Sequence, residues 1–254
     1  MAINEVFVNP TVKQVIFQIT FPNLFYLESK IGDLQMRIMN DFPDSALVYR
    51  RQILFADVGP EIKATDLQAD IDKDASRKMW QFKSKTNVQL SVQSDSLSIV
   101  SQHHKTYNLG QGERFRQVIE SVVRNFLEII PIQTISRIGL RYVDECPVPA
   151  KDNSTFKSYY SSVFPLERFD LSHANEMDFK TVVTRGQYYL RYVESLKRVG
   201  EKYVLVLDFD GYAVSIPSGD YLNVTDKLHE VISDEYEKTI KQPVYAYMRQ
   251  QQES

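Results

Sequence analysis

Two arginines flank a glycine within residues 136–144, a segment whose residue types alternate as they do along a β-strand. Successive side chains on a strand point to opposite faces, so Arg137, Gly139 and Arg141 share one face and the apolar residues between them share the other. A glycine inside a strand lets another group approach the backbone closely. The arginines can bind an acidic ligand there, or they can pair with carboxylates such as Asp144. Both interpretations stay open for this first candidate ligand or partner site.

A second group of basic and aromatic residues comes later in the chain, with Arg185, Tyr189 and Arg191 as its candidate binding residues. Basic side chains contact phosphates and aromatic rings stack on bases in RNA-binding proteins. Tyr189 and Arg191 share one face of the predicted strand, whereas Tyr188 and Tyr192 share the other, so the group is divided. The alternative is the solvated face of a hairpin.

Asp208 and Asp210 follow an apolar run and precede a glycine, in a pattern similar to the nucleophile loop of haloacid-dehalogenase phosphatases. In such sites the two aspartates serve a magnesium ion and a phosphate. Only 44 residues follow Asp210, and Tyr212 stands where that family places a threonine. A strand that ends in an Asp-Gly turn explains the pattern better. A hydrolase acting through both aspartates is kept as a third hypothesis.

Asp44, Glu61 and Lys63 match the residue types of a metal-dependent nuclease motif. That chemistry requires the aspartate and the Glu-x-Lys segment on adjoining strands. Asp44 instead follows a predicted helix, and Glu61 follows a Gly-Pro pair in an acidic loop over residues 57–74. We therefore predict no metal site here.

The four histidines and the single cysteine give no catalytic pattern. His103 and His104 are adjacent and would point to opposite faces of a strand, and His173 and His229 are isolated in the sequence. No cysteine or carboxylate at short spacing completes a metal site. Cys146 has no basic neighbour on its own face to lower its pKa. We expect no catalytic residue, no metal and no cofactor, and enzyme activity is the less favoured interpretation.

Composition is that of an ordinary folded protein: 43% of the 254 residues are hydrophobic, 25% are charged and the net charge is −3. An acidic balance argues against a simple nucleic-acid-binding protein, although a local basic face is compatible with it. Nine scattered glycines exclude a P-loop and a dinucleotide fingerprint. One cysteine, no signal peptide and no long apolar run predict a cytoplasmic location and no membrane partner.

Periodicity predicts alternating strands and helices along the chain. In the first half, the predicted strands span residues 13–21, 46–56, 78–82, 88–92, 97–100 and 132–143, and the helices span residues 24–38, with Asn23 as the cap, and 113–130. In the second half, helices are predicted at residues 155–163 and 224–240, and strands at residues 179–184, 187–196 and 202–209. This order predicts an α+β fold, with amphipathic helices on one face of a mostly antiparallel sheet.

The first half resembles an elaborated ferredoxin-like, or split βαβ, unit. We predict a ferredoxin-like α+β unit at residues 1–145 and a smaller antiparallel sheet with a C-terminal helix at residues 146–254, as a separate unit or continuous with the first. The strand at residues 132–143 is predicted to join the two. A duplication relating the halves stays an open alternative.

Short motifs give the chain a further resemblance, the strongest being Ile138-Gly139-Leu140-Arg141-Tyr142. Together with the early strand at residues 15–19, Trp80-Gln81-Phe82 and the helix containing Phe115, it resembles a sporadically distributed family of bacterial proteins of similar length, with no established activity. The resemblance implies a bacterial or mobile-element source and supplies no catalytic residue.

The leading functional hypothesis is a non-enzymatic interaction or sensing subunit that works with a protein partner or as a homo-oligomer. The tyrosine-rich sheet suits an interface. The resemblance adds a role in anti-phage defence to this hypothesis. The alternative is an RNA-binding or RNA-processing protein of ferredoxin-like architecture.

Overall fold

Nine β-strands form one antiparallel sheet in the computed structural model, which describes residues 5–51 and 76–250. The strands are β1 Val12–Thr20, β2 Asp44–Arg51, β3 Ser76–Lys83, β4 Gln89–Gln93, β5 Ser96–Ser101, β6 Thr134–Pro147, β7 Met177–Arg185, β8 Tyr188–Val199 and β9 Lys202–Pro217. Their order across the sheet is β2-β3-β4-β5-β1-β6-β9-β8-β7. The predicted α+β class with an antiparallel sheet is confirmed.

Five α-helices accompany the sheet in the described part of the chain. They are α1 Leu27–Ile38, α2 Phe115–Ile129, α3 Asn153–Tyr159, α4 Tyr221–Thr239 and α5 Gln242–Arg249. Four of them bury apolar residues at helical spacing, whereas α3 buries only Phe156. The apolar stripe of α2 includes Phe115, Ile119, Val122 and Phe126, which follow the helical period. None of the described helices has the length and apolar content needed to span a bilayer.

The strand β6 spans the predicted boundary between residues 145 and 146. It pairs with β1 on one side and with β9 on the other, so the sheet is continuous across the boundary between residues 145 and 146. β6 pairs with β9 from Thr134 through Pro147, and β9 then packs against α4. A long central strand therefore carries side chains to both faces at the middle of the molecule.

The two faces of the central sheet have different environments. Ile138, Leu140 and Tyr142 of β6 are buried on the face that the helices cover. On the opposite face Arg141 is half-buried and Gly139 is buried. The same alternation continues in β1 and β9, where Phe17 and Phe209 are fully buried. We call the covered side the helix face and the other side the open face.

Both halves follow a similar connectivity. In the first, β1 leads through α1 to a meander that ends in β5 beside β1, and α2 follows. In the second, β6 leads through α3 to a meander that ends in β9 beside β6, and α4 follows. β1 and β6 are antiparallel neighbours, so the two units meet along these strands.

Three local predictions are wrong. The strand predicted at residues 202–209 does not end in an Asp-Gly turn, because β9 continues through Asp210 and Gly211 to Pro217. Asn23 does not cap a helix: α1 begins at Leu27, because the amide of Leu24 first donates to the carbonyl oxygen of Ser94 at 2.8 Å. The C-terminal region holds one helix more than predicted. Ile240 is extended and forms a β-bridge with Tyr160, after which a proline in the first turn begins α5. The predicted acidic loop at residues 57–74, and the part of the predicted strand beyond Arg51, lie outside the described residues.

Candidate functional site

The predicted arginines of β6 lie on the open face, where aspartates of β9 bind them. Arg141 makes a two-pronged contact with Asp208, with both N–O distances 2.7 Å. Arg137 donates from Nη2 to both oxygens of Asp210 at 2.9 Å. Arg191 of β8 donates to Asp208 at 3.1 Å. We call these five residues the arginine–aspartate network; their charges largely compensate one another.

Gly139 makes room for this network. A Cβ atom at this position would lie 2.5 Å from Nη1 of Arg137, which real Cβ atoms do not tolerate. The guanidinium of Arg137 also lies 4.7 Å from the ring centre of Tyr212, which stacks on Tyr189 at 5.0 Å. Tyr212 is the cross-strand partner of both Gly139 and Tyr189. The glycine therefore accommodates the protein's own arginine.

The remaining predicted residue of this group, Arg185, lies apart. It is at the end of β7, and its guanidinium donates to Glu235 of α4 at 3.0 Å. The suggestion that Asp144 pairs with the arginines is wrong. Asp144 is three residues from Arg141 on a regular strand, so it points to the helix face, and its carboxylate accepts from Thr11 instead.

The other chemical patterns of the sequence are not assembled into a site. Glu61 and Lys63 lie outside the described residues. His103 and His104 follow β5, which ends at Ser101, so their expected alternation on a strand is wrong. His104 is buried, with Nδ1 2.9 Å from Ser101 Oγ. Within the described residues, no group of three or more histidine, cysteine or acidic side chains has metal-binding geometry.

A cavity of about 520 Å³ lies on the helix face. Tyr142 and Asp144 of β6 and Phe209 of β9 contribute to the sheet side. One side of α4, the loop after β5 and the start of α2 form further walls, with His229, Tyr107 and Arg116 among their residues. The chain before β1 and Met248 of α5 complete the lining. The lining is mainly apolar, with a few polar groups, which is typical of small-molecule sites.

The N-terminal segment closes the cavity toward α5. Phe7 packs against Tyr245, with ring centres 6.1 Å apart, and the amide of Asn9 donates to the carbonyl oxygen of Met248 at 2.9 Å. Glu5 accepts three hydrogen bonds from Arg249, at 2.7, 3.0 and 3.2 Å. These contacts are on the surface, so they hold the segment over the cavity without burying it deeply.

Asp144 is the most unusual polar residue of the cavity, since only 2% of it is exposed. Thr11 Oγ1 donates to its carboxylate at 2.8 Å, and the Tyr236 hydroxyl in turn donates to Thr11 at 2.7 Å. Burial raises the pKa of Asp144 to about 7, although the Thr11 hydrogen bond and the charge of Lys105 oppose the shift. This carboxyl group therefore exchanges its proton near neutral pH.

Two further polar atoms in the cavity wall are buried without a hydrogen-bond partner among the described residues: the Tyr142 hydroxyl and His229 Nδ1. Burial lowers the pKa of His229 to about 4, so the imidazole is neutral at pH 7. Its ring stacks on Tyr107 at 4.5 Å between centres. Burial also raises the pKa of Tyr142 well above its usual value, so that hydroxyl keeps its proton.

The basic residues of the cavity wall already have partners. Arg116 makes a two-pronged contact with Asp226, with both distances 2.8 Å, and the Tyr107 hydroxyl donates to the same carboxylate at 2.6 Å. Burial alone would raise the pKa of Asp226, but these hydrogen bonds outweigh it and leave the pKa lowered. Lys105 donates to the carbonyl oxygen of Val12 at 3.0 Å.

Sequence reasoning missed this cavity because its walls come from segments far apart in the chain. One signal was nevertheless present. Asp144 lies an even number of residues from Ile138 and Leu140, so on a regular strand it shares their buried face. A carboxylate at an inward position of a central strand is rare unless it is paired or functional.

Comparisons of the chain with protein-family models, with curated proteins and with solved structures gave no match.

Proposed function

We propose that this protein is a non-enzymatic sensing subunit, which binds a small organic molecule in the cavity and acts through a protein partner. The cavity is the observation that carries the proposal. Its volume of about 520 Å³ suits a small ligand. The Tyr142 hydroxyl and His229 Nδ1 lack partners there among the described residues. Leaving a buried polar atom unpaired costs roughly 1–3 kcal/mol, so a ligand that pairs these atoms gains affinity.

Binding rather than catalysis fits the chemistry of the wall. Burial raises the pKa of the Cys146 thiol well above its usual value, which keeps it protonated and unreactive. Asp208 and Asp210, the aspartates of the hydrolase hypothesis, are engaged by three arginines on the other side of the sheet. The protonated Tyr142 hydroxyl and the neutral His229 ring suit hydrogen bonding to a ligand.

Binding is tested with the neutral fluorescent dye N-phenylnaphthylamine, whose emission rises in apolar sites. Ser233 lines the cavity from α4, so Ser233→Trp fills part of the volume and should weaken dye binding at least about tenfold. Asn223→Trp, at an exposed position of the same helix, is the matched control and should bind like the wild type. Equal binding by the wild type and Ser233→Trp would refute a ligand site in this cavity.

The partner is tested by co-purification of the tagged chain with the products of neighbouring genes, before and after Ser233→Trp is introduced. A sensing role predicts a complex whose stability changes with the occupancy of the cavity. A monodisperse monomer that forms no complex in either state would contradict the partner. A place in anti-phage defence rests on the family resemblance alone and requires a phage challenge with and without the gene.

RNA binding is the second candidate, and one observation favours it: Tyr189 and Tyr212 stack on the open face beside Arg191. The arginines there are compensated by aspartates, which weakens attraction to phosphates. Salt-dependent binding of single-stranded RNA that Arg191→Ala weakens would support this candidate.

We also propose that the first half is an elaborated ferredoxin-like unit. The order β6-β1-β5-β4-β3-β2 supports it, because β1, α1 and β2 form a split βαβ unit with the meander strands between. A structure of the isolated first half that retained this order would support an independent unit.

A further inference from the structure

We infer that the ligand of the cavity is a small organic cation, an amine or amidine attached to an apolar group, whose charged nitrogen lies beside Asp144. This inference rests on the proposed function and names the substrate class of the same site. Four features of the cavity support it. The Asp144 carboxylate forms no ion pair among the described residues, the wall offers hydrogen-bond acceptors, aromatic rings line it, and its basic side chains already donate to groups of the protein.

The charge of Asp144 is the main feature of the cavity that favours a cation. Within the described residues, its carboxylate accepts from Thr11 and forms no ion pair. Lys105, whose charge acts on Asp144 from beyond ion-pair distance, donates to the Val12 carbonyl oxygen. A buried carboxylate without a counterion is costly, and an organic cation beside it removes most of that cost.

The polar atoms of the wall that are available to a ligand can accept hydrogen bonds. The neutral His229 ring has Nε2 3.4 Å from Ser233 Oγ; in the tautomer in which Nε2 donates to this hydroxyl, Nδ1 is an acceptor for a ligand N–H. The Tyr142 oxygen and the Asp144 carboxylate accept as well. Tyr142 and Asp144 are two residues apart on β6 and face the same side. An ammonium or amidinium group, which has several N–H donors and no acceptor, complements these atoms.

The aromatic rings of the cavity wall also favour a cation. Tyrosine and phenylalanine rings surround the cavity, and cations are attracted to the faces of such rings, more strongly where water is excluded. The rings are those of Phe7, Tyr107, Tyr142, Phe209 and Tyr236. Of the two basic side chains of the wall, Arg116 is held by Asp226, and Lys105 forms no ion pair among the described residues but already donates to the Val12 carbonyl oxygen. The wall therefore selects for positive charge on an apolar molecule.

The test uses three probes of matched size: phenethylamine, phenethyl alcohol and hydrocinnamate, which carry a positive, a neutral and a negative group. Each competes against N-phenylnaphthylamine at pH about 8, where Asp144 is ionised. We expect the amine to bind at least about tenfold more tightly than the alcohol, and the acid to bind most weakly. An alcohol that binds as tightly as the amine would overturn the inference while leaving the ligand site intact.

Two variants test whether Asp144 causes the preference for the amine. Asp144→Asn keeps the acceptor for Thr11 and should abolish the preference for the amine over the alcohol. Glu194→Gln is the matched control, because Glu194 is also a fully buried carboxyl on the helix face but lies outside the cavity. It should keep the preference. A preference that survives Asp144→Asn, or that is lost equally in both variants, counts against Asp144 as the anchor.

A wild-type pH series needs no variant. The affinity for phenethylamine should rise at least about tenfold between pH about 5 and pH about 8, as Asp144 ionises. Other groups around Asp144 are Lys105, Tyr142, Glu145, Cys146 and Tyr236, with His229 in the same wall. If Asp144→Asn retains the same pH dependence, another of these groups causes it and the inference is wrong. Failure of every probe and of the dye would overturn both this inference and the proposed function.

Discussion

Replacement of Asp144 by asparagine should make the protein more stable at neutral pH, although it removes a charged residue from the centre of the sheet. The asparagine is nearly isosteric and can still accept from Thr11, so the packing around β1 and β6 is preserved. What the change removes is the cost of holding a carboxylate where only 2% of the residue is exposed.

The size of the effect follows from the pKa of Asp144, which rises from 3.8 to about 7 in the folded protein because of burial. Between these values the folded protein holds a proton that the unfolded chain has released, so stability falls as the pH rises through this window. A difference of about 3 pKa units corresponds to ~4 kcal/mol, which is an upper bound for the gain in the variant above pH about 7.

The lowered pKa of His229 has the opposite effect on how stability changes with pH. The unfolded chain binds a proton that the folded protein does not between pH about 4 and pH about 6.5, so this residue makes stability rise with pH there. The two slopes oppose each other in the wild type. We therefore expect the stability of Asp144→Asn to rise more steeply with pH than that of the wild type in that range, because other groups contribute equally to both proteins.

The assay is urea unfolding at a series of pH values from about 4 to about 8, followed by circular dichroism and tryptophan fluorescence. The informative quantity is the free energy of unfolding of Asp144→Asn minus that of the wild type. It should be smallest near pH about 4 and increase by up to ~1.4 kcal/mol per pH unit until pH about 7. A difference that is constant across the series would refute the reasoning, since Asp144 would then titrate alike in both states.

Three further predictions concern packing and reactivity. Gly139→Ala should cost ~1 kcal/mol of unfolding free energy, because its Cβ displaces the Arg137 guanidinium, and the cost should vanish in the Arg137→Ala background, as a double-mutant cycle by urea unfolding would measure. Equal costs in both backgrounds would contradict the contact. Gly211→Val should destabilise the protein by roughly 1–3 kcal/mol in the same assay, because a Cβ there would lie 3.2 Å from Ile232 and push α4 off β9; an unchanged midpoint would show that the helix adjusts freely. Cys146 should react with iodoacetamide only as fast as the protein unfolds, since its thiol is fully buried and burial raises its pKa; rapid labelling followed by mass spectrometry would disprove that burial.

The order of strands and helices could be predicted from the sequence because the periodicities are strong. The apolar stripe of α2 and the alternation of β6 are set by residues within one element, so local patterns were sufficient. The short helix α5 was missed because its polar and aromatic residues lack a regular stripe of that length. Its start is determined instead by Ile240, which pairs with Tyr160 on a distant segment.

The pairing of the arginines could not be predicted, because it depends on register. Asp208 and Asp210 are more than 60 residues from Arg137 and Arg141 in the sequence, and only the antiparallel alignment of β6 with β9 brings them together. The alternation of β6 was nevertheless sufficient to exclude Asp144, which was wrongly suggested as their partner from the sequence. The parity of its position along the strand is sufficient to place Asp144 on the helix face.

The strand β6 therefore carries two kinds of charged residue on its two faces. They differ in whether an oppositely charged side chain pairs with them. On the open face, Arg137 and Arg141 first suggested a ligand site, but each has an aspartate at hydrogen-bond distance. On the helix face, Asp144 is a buried carboxylate that forms no ion pair among the described residues, and burial raises its pKa. The cation proposed for the cavity would offset the cost of that burial on binding. The uncompensated face is therefore the one to test with ligands.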